Sequence, residues 1–181
     1  NSVNSVVVHL GTEIIEQSIN HNLKLCLLLP GFINKWKGYE SVIMALRKVK
    51  KGTVSLTIVG KAIDTAYFKE VCEMAKPDKD ISIVEGFVND SALDTYYQNT
   101  DIIIIPYKRI TMSAVLTNAI GHGKVIITSS LPQFKEYLGD AGLYFTTVSS
   151  LSEMLTRLST TPSLLEEQRS LIKKLAPSYS F

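Results

Sequence analysis

The sequence predicts an α/β fold, a Rossmann-like three-layer α/β/α sandwich with about six parallel strands, and three observations carry that prediction. Short β-branched or leucine-rich runs alternate with longer amphipathic segments, as expected for parallel βαβ units buried on both faces. The order strand, helix recurs about six times, with no internal sequence repeat or low-complexity tract. With 181 residues, 45% hydrophobic and 20% charged, the chain can fill one substantial core and would be cramped as two domains.

Residues 1–22 contain one apolar run, Val6 to Val8, and a polar stretch through Asn20 to Asn22, and are expected to be an interdomain linker and lead-in. The domain proper is expected over 23–175. Its strands fall at Leu23 to Leu29, Val54 to Val59, Ile81 to Val84, Asp101 to Ile105, Lys124 to Thr128 and Gly142 to Phe145, each a short run rich in Leu, Ile or Val. Helices fall between them at Tyr39 to Val49, Thr65 to Lys76, Ser91 to Asn99, Ser113 to His122 and Phe134 to Leu138. Two more close the chain, Leu151 to Ser159 and Ser163 to Leu175. Asn89-Asp90 can cap the third helix, and Pro162 stands where a first helical turn tolerates a missing N–H. Residues 176–181 read as the start of a crossover segment.

A net charge of +2 with dispersed Lys and Arg does not suggest nucleic-acid binding. The cluster Arg47, Lys48, Lys50 and Lys51 reads as a solvated helix end, where cations suit the macrodipole. Cys26 and Cys72 lack ligand spacing and are expected in the core of a reduced protein. The longest apolar runs are far shorter than the ~20 residues that span a bilayer. Expected is a soluble, cytoplasmic domain, compatible with peripheral attachment of a full-length protein to the cytoplasmic face of the inner membrane.

Open sheets of this kind bind ligands beyond the carboxyl ends of their strands. After the first strand come Gly31, Phe32, Asn34, Trp36 and Lys37-Gly38, a turn with an ammonium at the threshold of a helix, suited to phosphate or simply a lysine-bearing surface turn. The second strand ends in Gly60-Lys61. After the third, Gly86-Phe87-Val88 offers main-chain groups and a ring that either flanks a nucleobase or packs in the core. After the fourth, Tyr107-Lys108-Arg109-Ile110-Thr111-Met112-Ser113-Ala114 brings cations and hydroxyls to a helix start, suited to a diphosphate, with Ser113 also a natural N-cap.

Other chemistries find no template. Gly121-His122-Gly123-Lys124 lacks P-loop spacing, no GxGxxG follows a strand, and His9, His21 and His122 are too scattered for a metal site or a Ser-His-Asp triad.

Taken in order, the loops resemble the C-terminal domain of the GT-B glycosyltransferases of the group 1, family 4-like type that build bacterial capsules, exopolysaccharides and lipopolysaccharides. The resemblance runs from Leu23 onward. It rests on Gly31 with Lys37-Gly38, Gly60-Lys61 with Tyr67-Phe68-Lys69, Gly86-Phe87-Val88, Asp101 to Tyr107, Gly123-Lys124-Val125-Ile126 and Glu136 to Gly142. In the subgroup it is most similar to, the fourth loop reads Pro-Tyr-Arg, one residue, Ile, two residues, Ser-Gly. Here it is Pro106-Tyr107-Lys108-Arg109-Ile110-Thr111-Met112-Ser113-Ala114.

The resemblance implies a metal-independent hexosyltransferase whose donor is a nucleoside diphosphate sugar, with no further cofactor. Lys37 and Ser113 would support catalysis at the leaving diphosphate. Gly31, Asn34, Lys61, Gly86, Phe87, Val88, Tyr107, Lys108, Arg109, Thr111, Met112, Ala114 and Asn118 would line the donor site. The acceptor, a glycan or lipid-linked sugar, would sit on a missing N-terminal domain, so the isolated domain would turn over nothing. Two departures stand out: the paired glutamates of many retaining members correspond to Ile110 and Asn118, and a first-loop arginine is replaced by Asn34 or Phe32. A catalytically degenerate binding module, or more remotely a nucleotide-sugar epimerase of the same class, is the alternative.

Overall fold

The computed structural model describes residues 24–109 and 113–179. The expected linker over 1–22, with Leu23, lies outside them, as do Ile110, Thr111, Met112 and the last two residues.

The described chain forms a single six-stranded sheet, with β1 Leu25–Pro30, β2 Val54–Gly60, β3 Ile81–Glu85, β4 Ile102–Ile105, β5 Val125–Ser129 and β6 Leu143–Phe145. Every pairing is parallel and the order is β3-β2-β1-β4-β5-β6. Between and after the strands lie α1 Tyr39–Leu46, α2 Thr65–Ala75, α3 Asp90–Gln98, α4 Ala114–Gly121, α5 Pro132–Leu138, α6 Val148–Thr160 and α7 Pro162–Leu175.

The strand period of two splits the core into two layers. Leu25, Leu27 and Leu29 of β1 face the side covered by Tyr39, Val42 and Ile43 of α1, Tyr67 and Val71 of α2, and Leu151 and Leu155 of α6. Leu28 faces the other side with Ile103 and Ile105, under Tyr97 of α3, Leu116 and Ile120 of α4, Phe134 of α5 and Ile172 of α7. The four isoleucines of β4 are fully buried, which explains their continuous apolar run. Truncating one to alanine would cost roughly 2–5 kcal/mol.

Boundaries differ from expectation where local chemistry takes over. Helix α1 ends at Leu46 and not Val49, because Lys48 and Val49 donate to the carbonyls three residues back, a tighter turn that delivers Val49 to the core. Helix α6 starts at Val148, earlier than Leu151, since Thr147 and Ser150 form a reciprocal capping box. The cysteines are half-buried, contrary to the core placement expected of them. Cys26 opens onto a groove of about 300 Å³ shared with Ser55, Thr57 and Tyr96, and Cys72 sits one residue round α2 from its inward-facing Val71.

Because β1 pairs with both β2 and β4, the chain reverses its direction of sheet growth between β1 and β4. The loops leaving these two strands therefore flank a crevice at their carboxyl ends.

Candidate functional site

The site is assembled by backbone contacts among loops. Gly31 N donates to Val59 O at 2.9 Å, Ile33 N to Lys61 O at 2.9 Å and Ile63 N to Ile33 O at 3.1 Å, so the loops after β1 and β2 continue the sheet. Their approach demands glycine: a Cβ at Gly60 would lie 2.2 Å from the Gly31 carbonyl oxygen. A 3₁₀ turn, Lys35–Lys37, then leads into α1, and Lys108 N donates to Trp36 O at 2.8 Å, joining the first loop to the fourth.

Lys37 is the unusual side chain. It is only 5% exposed, and its ammonium donates to the Tyr107 hydroxyl and lies 4.0 Å from that ring's centroid and 5.3 Å from that of Trp36. Among the described residues no carboxylate pairs with it. Burial without a counter-charge lowers its pKa from 10.5 to about 8, so it remains mostly protonated at neutral pH. Tyr107, 3% exposed, is pushed the other way by burial, to about 12, partly offset by a hydrogen bond with Ser113.

Ser113 caps α4: its Oγ accepts from Leu116 N at 3.2 Å. The helix start faces the first loop, since a Cβ at Gly31 would stand 3.1 Å from Lys37 Nζ and 3.6 Å from Val115 Cγ2. The structure thus gathers Lys37, Gly31, Tyr107 and Ser113. An ammonium, a hydroxyl and free helix N–H groups around one crevice can hold an anion.

Beside it opens a cleft of about 150 Å³ lined by Gly31, Phe32, Val59, Gly60, Lys61, Gly86, Phe87, Val88 and Leu93. Phe87 is 86% exposed and Phe32 56%, which removes the core alternative for Phe87. The remaining expected residues are distributed more loosely. Lys108 is exposed and pairs with Glu40 at 3.5 Å, while Arg109 stacks over Trp36 at 5.9 Å. Ala114 is the exposed first residue of α4, and Asn118 is exposed one turn further along the same helix. Asn34 is buried, its Oδ1 has no hydrogen-bond partner, and it does not line the cleft. Thr111 and Met112 lie outside the described residues.

Two contributors escape sequence reasoning. Glu40 accepts from Tyr67 at 2.8 Å and reaches Lys108, and its only sequence signal was an acid in a first helical turn. Leu93 reads as an ordinary apolar position on α3 yet lines the cleft.

A larger groove, about 630 Å³, lies at the opposite ends of the strands among Arg47, Lys50, Lys51, Asp78 and Asp80. Its charges are partly spent on each other, with Arg47 on Asp78 at 2.8 Å and Lys24 on Asp80 at 2.5 Å, and it lies away from the crossover crevice. Among the described residues no cluster of His, Cys, Asp and Glu could hold a metal ion, and no helix is long and apolar enough to cross a membrane.

Comparison with known proteins adds the following. A family model described as "Glycosyl transferases group 1" matches residues 24–161. The fold is similar to the C-terminal domain of the glycosyl transferase group 1 family protein LpcC of Francisella tularensis, with a TM-score of 0.76, 17% identity and 90% of each chain covered. It is also similar to Anabaena HepE in complex with UDP and glucose, with a TM-score of 0.75 and 14% identity over 92% of this chain and 46% of that one. WaaG, a glycosyltransferase involved in lipopolysaccharide biosynthesis, superposes with a TM-score of 0.68 and 20% identity over 94% of this chain and 48% of that one. An uncharacterized 41.2 kDa protein in the cps region of Klebsiella pneumoniae is 20% identical over 117 residues, 65% of this chain and 31% of the relative. The chain therefore spans about a third of that relative and about half of HepE and WaaG.

Proposed function

The chain belongs to the group 1 glycosyl transferases and has the fold of one half of a GT-B enzyme, and from that premise we propose that it is the donor-binding half. It would hold a nucleoside diphosphate sugar for transfer of the glycosyl group to a glycan or lipid-linked acceptor carried by a second domain. The observation that carries the reading is Lys37, a buried ammonium that pairs with no carboxylate among the described residues, placed at the carboxyl ends of the neighbouring strands β1 and β4 and beside the start of α4. Burying a charge is costly, and an anionic ligand supplies the missing partner.

In this reading the diphosphate rests between Lys37 and the Ser113 end of α4, and the base enters the cleft of Gly86, Phe87 and Val88. As the bond from the sugar's anomeric carbon to the phosphate oxygen breaks, that oxygen and its phosphate gain negative charge. Lys37, the Ser113 hydroxyl and the helix amides are already aimed there and stabilise it without reorganising, in the place a metal ion takes in other transferases. HepE, whose structures hold UDP with glucose in one case and UDP-glucose in the other, supports a uridine donor as the first to try.

Calorimetry with UDP, GDP and ADP on the wild type and Lys37→Ala tests the reading. Binding of one diphosphate, weakened at least tenfold by the substitution, supports it. No binding of any of the three removes it. A degenerate binding module is the second reading, favoured by Asn118, an amide at a position that in the resemblance corresponds to a glutamate of many retaining members. Glycosyl transfer by the full-length protein would exclude that module, and free sugar released without an acceptor would indicate an epimerase. A nucleoside diphosphate sugar donor supports, as part of the same reading, a cytoplasmic full-length protein with peripheral attachment to the inner membrane.

A further inference from the structure

Tyr107 is too deeply buried to serve chiefly as a ligand contact, and its bonding gives it another task. We propose that Tyr107 is a positioning residue for the anion site, its oxygen accepting from the Lys37 ammonium and holding it charged beside the start of α4. The proposal rests on the diphosphate reading of the site.

The direction follows from the donor inventory. An ammonium has donors only, so in the Lys37–Tyr107 bond the phenol oxygen must accept. Ammonium and phenol thus meet beside the start of α4, where Ser113 Oγ accepts from Leu116 N at 3.2 Å.

The ring is held in place to do this. The Trp36 ring meets it edge-on at 5.5 Å, Phe134 lies 6.1 Å away, and its carbonyl accepts the Ser129 hydroxyl at 2.6 Å. The charged groups around Lys37 give it little help. Arg109 sits across Trp36, Lys108 is matched by Glu40, and Lys61 enters from the second loop. Among the described residues the Tyr107 oxygen is the one acceptor that Lys37 reaches with a hydrogen bond. Without it, the neutral amine is favoured over the ammonium.

Tyr107→Phe keeps the ring and removes that acceptor. UDP affinity measured by calorimetry from pH 6 to 9.5 should be within about threefold of wild type at pH 6, about a further fivefold weaker at pH 8 and close to a further tenfold weaker above pH 9, with loss of binding beginning about one pH unit earlier. A merely structural role would weaken binding equally at every pH, and parallel profiles overturn the proposal. Ser113→Ala should lower affinity at all pH values without moving the profile. In ligand-free protein, NMR titration of the Lys37 ammonium reads the same effect independently of binding. A lower midpoint in Tyr107→Phe supports the positioning role and an unmoved one overturns it. If the wild type binds no diphosphate, that result strikes the donor reading alone, while the NMR titration still decides the role of Tyr107. Should Tyr107→Phe not fold, fluorotyrosine at 107, a weaker acceptor, must shift the Lys37 midpoint down for the proposal to stand.

Discussion

Gly38 and Pro106 meet backbone to backbone: a Cβ at Gly38 would stand 2.1 Å from the Pro106 carbonyl oxygen, and Gly38 has φ 75°. The contact fastens the end of the Lys37 turn to the exit of β4. Gly38→Ala combines a left-handed backbone with a clash against main chain that cannot swing aside. It should cost at least about 1–3 kcal/mol, read as a lower denaturant midpoint, and should weaken diphosphate binding because Lys37 and Tyr107 separate. An unchanged midpoint would show that the two loops are not fixed to each other.

Lys37 should be a liability to the fold in the absence of ligand. Its pKa is about 8 in the folded protein against 10.5 when unperturbed. Between these values the unfolded chain binds more protons, so this residue's contribution makes stability rise with pH across that window, and the penalty is complete below about pH 8. At neutral pH the penalty is of the order of 3 kcal/mol. Lys37→Met, which keeps the length and removes the charge, should therefore melt higher than wild type at pH 7, with the gap closing towards pH 10. A lower melting temperature at pH 7 would mean that the ammonium is well solvated or paired.

The fold and the crevice were largely legible in the sequence because their causes are local. Isoleucine runs such as Ile102 to Ile105 mark buried strands, and Gly31, Gly60 and Gly86 mark the loops where strands end. What was hidden depends on side chains distant in sequence. Tyr107 looked like one more residue on a ligand-facing loop, and only the packed structure puts it beneath Lys37, 70 residues away. Asn34 looked equally accessible, yet the bridge between Ile33 and Ala62 draws its neighbourhood inward. Phe87 went the opposite way, since β3 is the sheet edge and, among the described residues, the loop leaving it stays open and keeps the ring exposed.

Wild-type affinity for a nucleoside diphosphate should fall as pH rises through about 8. Below that value Lys37 is charged before the ligand arrives. Above it, binding must first protonate the amine, which costs about tenfold in affinity per pH unit. Calorimetry in buffers of different ionisation enthalpy would report one proton taken up at pH 9 and almost none at pH 6.5. Equal proton uptake at both would assign the anion to another group.

Asp101 anchors the far end of β4 and should matter to stability alone. Its carboxylate accepts from Cys26 N at 2.9 Å and from Arg169 at 2.7 Å, so it joins β1, β4 and α7 at the sheet end opposite the crevice. Asp101→Ala leaves the Cys26 main-chain donor without its acceptor and Arg169 with Glu166 as its remaining carboxylate, a loss of about 1–3 kcal/mol. UDP affinity of the folded variant should stay within about twofold of wild type. A large affinity loss without destabilisation would mean that the two ends of β4 are coupled, contrary to this division.

Phe87 presents the reverse case, a large apolar side chain kept 86% exposed beside the cleft. Exposed truncation removes little packing, so Phe87→Ala should change stability by no more than about 0.5 kcal/mol. If the ring flanks the base, the variant should lose about 1–3 kcal/mol of UDP affinity, the range seen for stacking of a base on an aromatic side chain. Inorganic pyrophosphate, which has no base, should bind wild type and variant alike. That contrast isolates the ring, because a distorted crevice would weaken both ligands, whereas a lost stacking surface weakens only the nucleotide.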